Sequence, residues 1–105
     1  MRKCLMLYLI LSASCAWADV VRGKLYFQQY CAGCHSLSYA NPSEETHLEK
    51  TDAIKWFGVE PPDLSLIGMQ HSRAWIVAYL NGFYPDDTRP FGVNNHLSPN
   101  IMMPN

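Results

Sequence analysis

Cys31-Ala32-Gly33-Cys34-His35 is the stretch whose residue types and spacing can do chemistry. Two thiols three apart, with an imidazole directly after the second, form the spacing of covalent c-type haem attachment. On one turn of helix both thiols can reach the two vinyl groups of a single porphyrin. The adjacent imidazole then points at the iron from the same side, and Gly33 leaves room for the macrocycle against the backbone. Two other chemistries use a Cys-x-x-Cys pair. A thioredoxin-like redox pair follows a strand in a βαβ context, which this sequence lacks. A zinc site needs further Cys or His at ligand spacing, and no cysteine follows position 34. The spacing therefore predicts one covalently bound haem c, with Cys31 and Cys34 as anchors and His35 as an iron ligand.

Iron held by His35 has a second face. Methionine there raises the potential and suits electron transfer, whereas an open position suits gas binding or peroxide chemistry. The candidates downstream of the motif are Met69, Met102 and Met103, with His47, His71 and His96. Met69 follows Ile67 in an apolar stretch and reads as core packing. His47 sits among charged residues and reads as a surface side chain. Met102 and Met103 end a proline-punctuated loop that could reach back over a haem, and Pro104 fixes the backbone beside Met103. On the residues alone either of these two can ligate. No catalytic nucleophile or acid–base pair stands out, so the chain reads as an electron-transfer subunit or carrier with no catalytic site of its own.

The elements that must position these residues belong to one short domain, which is all that 105 residues allow. Arg2 and Lys3 precede an apolar run from Cys4 to Leu11, and Ala16-Trp17-Ala18 supplies a cleavage site. That order predicts a secretory signal peptide over 1–18, too short in its apolar run for a transmembrane helix. A lipoprotein cleavage at Cys15 is disfavoured by Ser12, which stands where a large aliphatic residue is expected. Cleavage after Ala18 leaves a mono-haem domain over 19–105 whose only cysteines are Cys31 and Cys34. Export fits the chemistry, because c-type haem is attached after translocation; the expected location is the periplasm or the periplasmic face of the inner membrane. Loss of Arg2 and Lys3 from eight basic residues leaves six against nine acidic ones, a mature net charge of −3. A mildly acidic carrier suits docking to a basic partner, though an ordinary soluble surface looks the same. The few, scattered basic residues argue against nucleic acid.

Periodicity predicts a first helix from Asp19, its N-cap, to Cys31, with Gly23 and Phe27 on one face. A glycine there lets another helix cross closely, and an exposed apolar patch is expected around Phe27 and Tyr30, covered by another chain or left as a liability. Residues 36–50 are polar, with Asn41-Pro42-Ser43 a turn signal. A brief helix over 51–57 should bury Ile54, Trp56 and Phe57 and stop at Gly58. Glu60-Pro61-Pro62-Asp63 is rigid and extended, and the apolar Leu64, Leu66 and Ile67 suit the edge of a haem. The clearest helix runs from Arg73 to Leu80, capped by Ser72, closed by Asn81-Gly82, with Ile76, Tyr79 and Leu80 as its buried stripe. Residues 83–105, broken by four prolines, read as loop.

A broader resemblance emerges when these pieces are taken together. Arg22-Gly23, Phe27 and the run Cys31 to Tyr39 are similar to the haem-attachment region of cytochrome c1. The likeness resumes at Trp56-Phe57-Gly58 and Pro61-Pro62-Asp63-Leu64-Ser65-Leu66-Ile67. It continues through Tyr79-Leu80, Phe83-Tyr84, Asp87, Arg89-Pro90 and Gly92-Val93-Asn94-Asn95 to Met103-Pro104. The resemblance implies an all-α, class I-like cytochrome c fold around one haem. It also implies Met103, the Met-Pro methionine, as the distal ligand. Cytochrome c1 is the haem subunit of the cytochrome bc1 complex, a quinol:cytochrome c oxidoreductase, with cytochrome b and a Rieske iron–sulfur protein as its neighbours. The implied function is to take electrons from the Rieske protein and pass them to a soluble cytochrome c.

Three features depart from the family pattern. The segment 40–53 is shorter than usual. Ile67-Gly68-Met69-Gln70-His71 replaces an Ile-Ala-Arg-x-Arg pattern whose arginine meets a haem propionate, so His71 or Arg73 is the candidate substitute. The sequence ends just after Met103-Pro104, where the family continues into a further helix and a membrane anchor, which makes it a short form. A stand-alone periplasmic carrier or haem sensor, and a degenerate truncated copy, are the alternative readings.

Overall fold

The computed structural model describes residues 19–40 and 46–105. The expected signal peptide, its cleavage site and the Asn41-Pro42-Ser43 turn lie outside them. The chain divides into two units, up to Gly33 and from Cys34 onward.

In the first unit residues 19–30 are helical (α1). Asp19 is itself within the helix and so is not its cap. Val21, Leu25, Tyr26 and Tyr30 are exposed, Phe27 is half-buried, and the Tyr26 and Tyr30 rings lie 6.2 Å apart. A Cβ added at Gly23 would meet nothing within 4 Å. Of the apolar patch expected around Phe27 and Tyr30, Tyr30 is exposed and Phe27 only half so. The helix ends as the motif begins, where the N–H groups of Cys31 and Ala32 both donate to the Phe27 carbonyl, at 2.8 and 2.9 Å.

In the second unit α2 spans Lys50–Phe57, α3 Ile67–Gln70 and α4 Arg73–Leu80. Gly58 ends α2 in the left-handed region at φ 75°, returning its N–H to Ile54, a conformation glycine adopts without a Cβ penalty. The expected burial differs. Ala53 is the inward residue at 1% exposure, while Ile54 and Trp56 stand 47% and 68% exposed; Phe57 is half-buried against Phe91. Ser72 caps α4 as expected, its hydroxyl accepting from the Trp75 N–H at 3.1 Å. Ile76 and Tyr79 are half-buried, and Leu80 is exposed. Met69, expected in a core, is 86% exposed. Among the described residues no helix is long and apolar enough to cross a membrane.

The all-α expectation needs an addition in the stretch read as loop. Strand β1, Phe83–Pro85, pairs antiparallel with β2, Val93–Asn95, placing Phe83 opposite Asn95 and Pro85 opposite Val93. Asp86 builds the connection. Its Oδ1 accepts from the Thr88 N–H and hydroxyl at 3.0 and 2.6 Å, and its Oδ2 accepts from Asn94 Nδ2 at 2.9 Å. Those donors, Thr88 first, hold its carboxyl below the usual range. Gly92 closes the turn at φ 70°.

Candidate haem-binding site

Cys31 lies at the end of the first unit, and Cys34, His35 and Met103 lie in the second. Both cysteines are half-buried free thiols, and burial pushes the Cys31 thiol up from its ordinary value. A Cβ at Gly33 would meet no atom within 4 Å, so packing within the chain does not require glycine there.

His35 is buried, and its Nδ1 lies 2.8 Å from the Pro62 carbonyl oxygen. A carbonyl can only accept, so Nδ1 carries the proton and the lone pair is left on Nε2. This is how a backbone carbonyl fixes tautomer and ring direction in a histidine that ligates a metal. Proline suits the acceptor position because its fixed φ keeps the carbonyl in place.

That contact belongs to a strap lacing 35–39 to 62–65. Leu64 N–H donates to the Ser36 carbonyl at 2.9 Å, and Tyr39 N–H to Ser65 Oγ at 3.0 Å. Asp63 joins the two sides. Its Oδ2 accepts from the Ser38 hydroxyl and, at 3.0 Å, from the Ser38 N–H, while Oδ1 accepts from the Ser65 N–H at 2.8 Å. The Ser38 hydroxyl, then Ser65, holds the Asp63 carboxyl far below the usual carboxylate range although it is exposed. The sequence marked Pro61 to Ile67 as shielding. Its first half also works as the brace of His35, a role carried by contacts 25–28 residues apart that no local pattern announces. Cys34 also borders a cleft of about 260 Å³ with Ser36, Thr46, Lys50 and Glu60, below the roughly 300–1,000 Å³ of small-molecule sites.

Met103 is half-buried, and Tyr79 Oη donates to its sulfur at 3.6 Å. Tyr79 is held by a column of rings: His71 stacks on Trp75 at 3.7 Å, Trp75 on Tyr79 at 5.3 Å, and Phe83 meets Tyr79 edge-on at 5.6 Å. His71, considered for a propionate, therefore has its ring against Trp75, and Arg73 is exposed. His47 is exposed as expected, and His96 stacks on Tyr84 at 4.4 Å.

Asn94, Asn95 and Arg89 position the methionine loop, and residue chemistry alone did not find them. Asn95 is fully buried; its Nδ2 donates to the Tyr79 carbonyl at 2.8 Å and its Oδ1 accepts from the Leu97 N–H at 2.9 Å. Asn94 Oδ1 accepts from the Asn100 N–H at 2.9 Å. Arg89 Nη2 donates to the carbonyls of Asn100 and Ile101, at 2.8 and 3.3 Å, and reaches Met102 Sδ at 3.4 Å. Paired asparagines beside an arginine in a proline-rich loop are the signal available, since buried amides need partners.

The donor set fits a covalently held haem. Two unpaired thiols flank a turn that leads to an imidazole with Nε2 free to ligate, and a thioether sulfur is available as a soft second ligand. A Cys-x-x-Cys-His motif with these donors is the attachment pattern of c-type cytochromes. The chain is 41% identical to the cytochrome c1 of Allochromatium vinosum over 83% of its own length and 47% of that protein's. It is 28% identical to the ammonia monooxygenase gamma subunit of Nitrosomonas europaea, over 79% of this chain and 47% of that one. No protein-family model matches. The chain is cytochrome c1-like and spans about half the length of these relatives. The likeness implies a covalently bound haem c and supports a c-type cytochrome role in electron transfer.

Proposed function

We propose that this chain carries one haem c and relays single electrons from a Rieske iron–sulfur protein to a soluble cytochrome c, as part of a quinol:cytochrome c oxidoreductase with cytochrome b. Its place is the periplasmic face of the inner membrane, reached through the signal peptide over 1–18. The observation that carries the reading is His35, whose Nδ1 is committed to Pro62 so that Nε2 is left to ligate, in a motif whose two thiols are free.

Haem supplies reversible one-electron chemistry at iron; the residues bind, orient and tune it. The thiols of Cys31 and Cys34 would anchor the group, each as a thioether to one vinyl carbon with the thiol hydrogen going to the other. His35 Nε2 and Met103 Sδ would hold the iron, and a thioether ligand would favour the reduced state. The Tyr79 hydroxyl fixes the direction of the Met103 sulfur, and the strap keeps His35 from turning.

The test is expression with a haem-attachment system, then mass spectrometry and isolation from native membranes. The expected product begins at Asp19, carries the mass of one haem through acid–acetone extraction, and copurifies with cytochrome b and the Rieske protein. Extractable haem would sink the cofactor assignment. Haem-loaded protein found only in the soluble fraction would replace the complex subunit by a stand-alone carrier.

A further inference from the structure

Positions 102 and 103 are both methionine, and one coordination position accepts one sulfur. The two sulfurs have different surroundings. Met103 Sδ accepts from a neutral hydroxyl, that of Tyr79, at 3.6 Å. Met102 Sδ lies 3.4 Å from a guanidinium nitrogen, and its methyl stands 3.5 Å from where a Cβ on Gly58 would be. We propose that Arg89 is a positioning residue that selects between the adjacent methionines, holding the Met102 thioether on its guanidinium so that Met103 alone is offered as ligand. The inference rests on the haem reading above and deepens it at the same site.

Three features carry it. First, the nitrogen that meets Met102, Nη2, also donates to the Asn100 and Ile101 carbonyls, so two further bonds from a charged donor fix the guanidinium beside the Met102 sulfur. Hydrogen bonds from an ionised donor are about twice as strong as neutral ones, and arginine does not deprotonate. Second, Arg89 is anchored in the hairpin turn, its N–H donating to the Asp86 carbonyl and its carbonyl accepting from Gly92, both at 3.0 Å. Third, the loop resists sliding by one residue. Asn100 occupies the left-handed region at φ 65°, which asparagine tolerates; a one-residue slip that brings Met102 to the place of Met103 would put Pro99 there, whose ring fixes φ at about −65°. A thioether already accepting from a cation is also a poor partner for a ferric ion.

The test uses haem-loaded protein at matched covalent haem content. Its readout is the weak ferric absorption band at the red end of the spectrum that reports methionine sulfur on iron. Met103→Leu should lose the band although Met102 is intact. Met103→Leu combined with Arg89→Gln should recover at least half of it, as Met102 is released. Arg89→Gln alone should show two sets of shifted haem-methyl proton resonances, and adding Met102→Leu should restore one. Should the Arg89→Gln chains not fold, Arg89→Leu takes their place, because it keeps an apolar stem and removes every donor. A band that persists undiminished in Met103→Leu, or stays absent when Arg89 is also replaced, overturns the selection. Wild-type protein without covalent haem or without the band overturns the haem–methionine reading itself, and this inference with it, so the two failures are told apart.

Discussion

His35 shows how much of a ligand's chemistry is decided by a residue it never coordinates. Its ring direction depends on the Pro62 carbonyl, and that carbonyl is held in place by Asp63 through Ser38 and Ser65. Asp63 is ionised in the fold well below the ordinary aspartate value of about 3.9. Its folded pKa is depressed, so the unfolded chain binds the extra proton and stability rises with pH. The contribution is complete above the ordinary value and declines as pH falls below it, toward the lower folded value. Asp63→Asn should therefore destabilise the protein at neutral pH, and the gap to wild type should shrink as pH is lowered toward about 3. Denaturant midpoints of both proteins across that range are the measurement. Other carboxylates cancel in the difference, so an equal gap at both ends would mean that the charge of Asp63 is not what the strap uses.

At the scale of elements, punctuation sets the boundaries, and two glycines do so for different reasons. Gly58 is left-handed at φ 75°, and a Cβ there would meet only the Met102 methyl at an ordinary 3.5 Å. Gly82 is buried between α4 and β1, where a Cβ would stand 2.9 Å from the Ala78 carbonyl oxygen and 3.2 Å from Asn95 Oδ1. Gly58→Ala should cost about 1–2 kcal/mol, the left-handed penalty alone. Gly82→Ala should cost more, because its clash is with backbone and with the Asn95 amide that holds the Tyr79 carbonyl. Thermal unfolding of the two variants gives the order, and a reversed order would contradict this account. The same contrast explains what was legible in the sequence. Gly58, Ser72 and Asn81 are local signals, so the ends of α2 and α4 could be read directly. The inward face of α2 could not, since periodicity marks a stripe and the fold turned Ala53 inward instead of Ile54 and Trp56. The hairpin was hidden because its strands have three residues each, one ending in Pro85 and the other in two asparagines. Cys31 to His35 lie in one local motif and were legible; the strap and the Arg89 clamp join residues from 11 to 28 positions apart and were not.

At the scale of the molecule, the polypeptide buries little by itself. Ala53 is the one buried apolar residue among those described, and the fully buried large side chain is Asn95, an amide. Val77 and Leu80 of α4 are more than half exposed, and Leu66 beside α3 is 45% exposed. Full burial of a large apolar side chain is worth roughly 1.5–3 kcal/mol, and a whole domain is stable by only about 5–15 kcal/mol. A small domain with one buried alanine therefore lacks the usual source of that stability and needs a further apolar body to complete its core. Covering even three of the exposed aliphatic side chains would supply a large part of it. Covalent attachment keeps that body in place, because a thioether does not dissociate when the fold opens. Replacing both Cys31 and Cys34 with alanine should then do more than remove colour. The doubly substituted chain should lose its cooperative thermal transition and become rapidly cleaved by protease, while the haem-loaded wild type resists. Replacing one cysteine should give an intermediate, because one thioether still tethers the group. Limited proteolysis beside calorimetry decides the matter. A doubly substituted chain that melts cooperatively within a few degrees of wild type would show that the polypeptide holds its fold unaided.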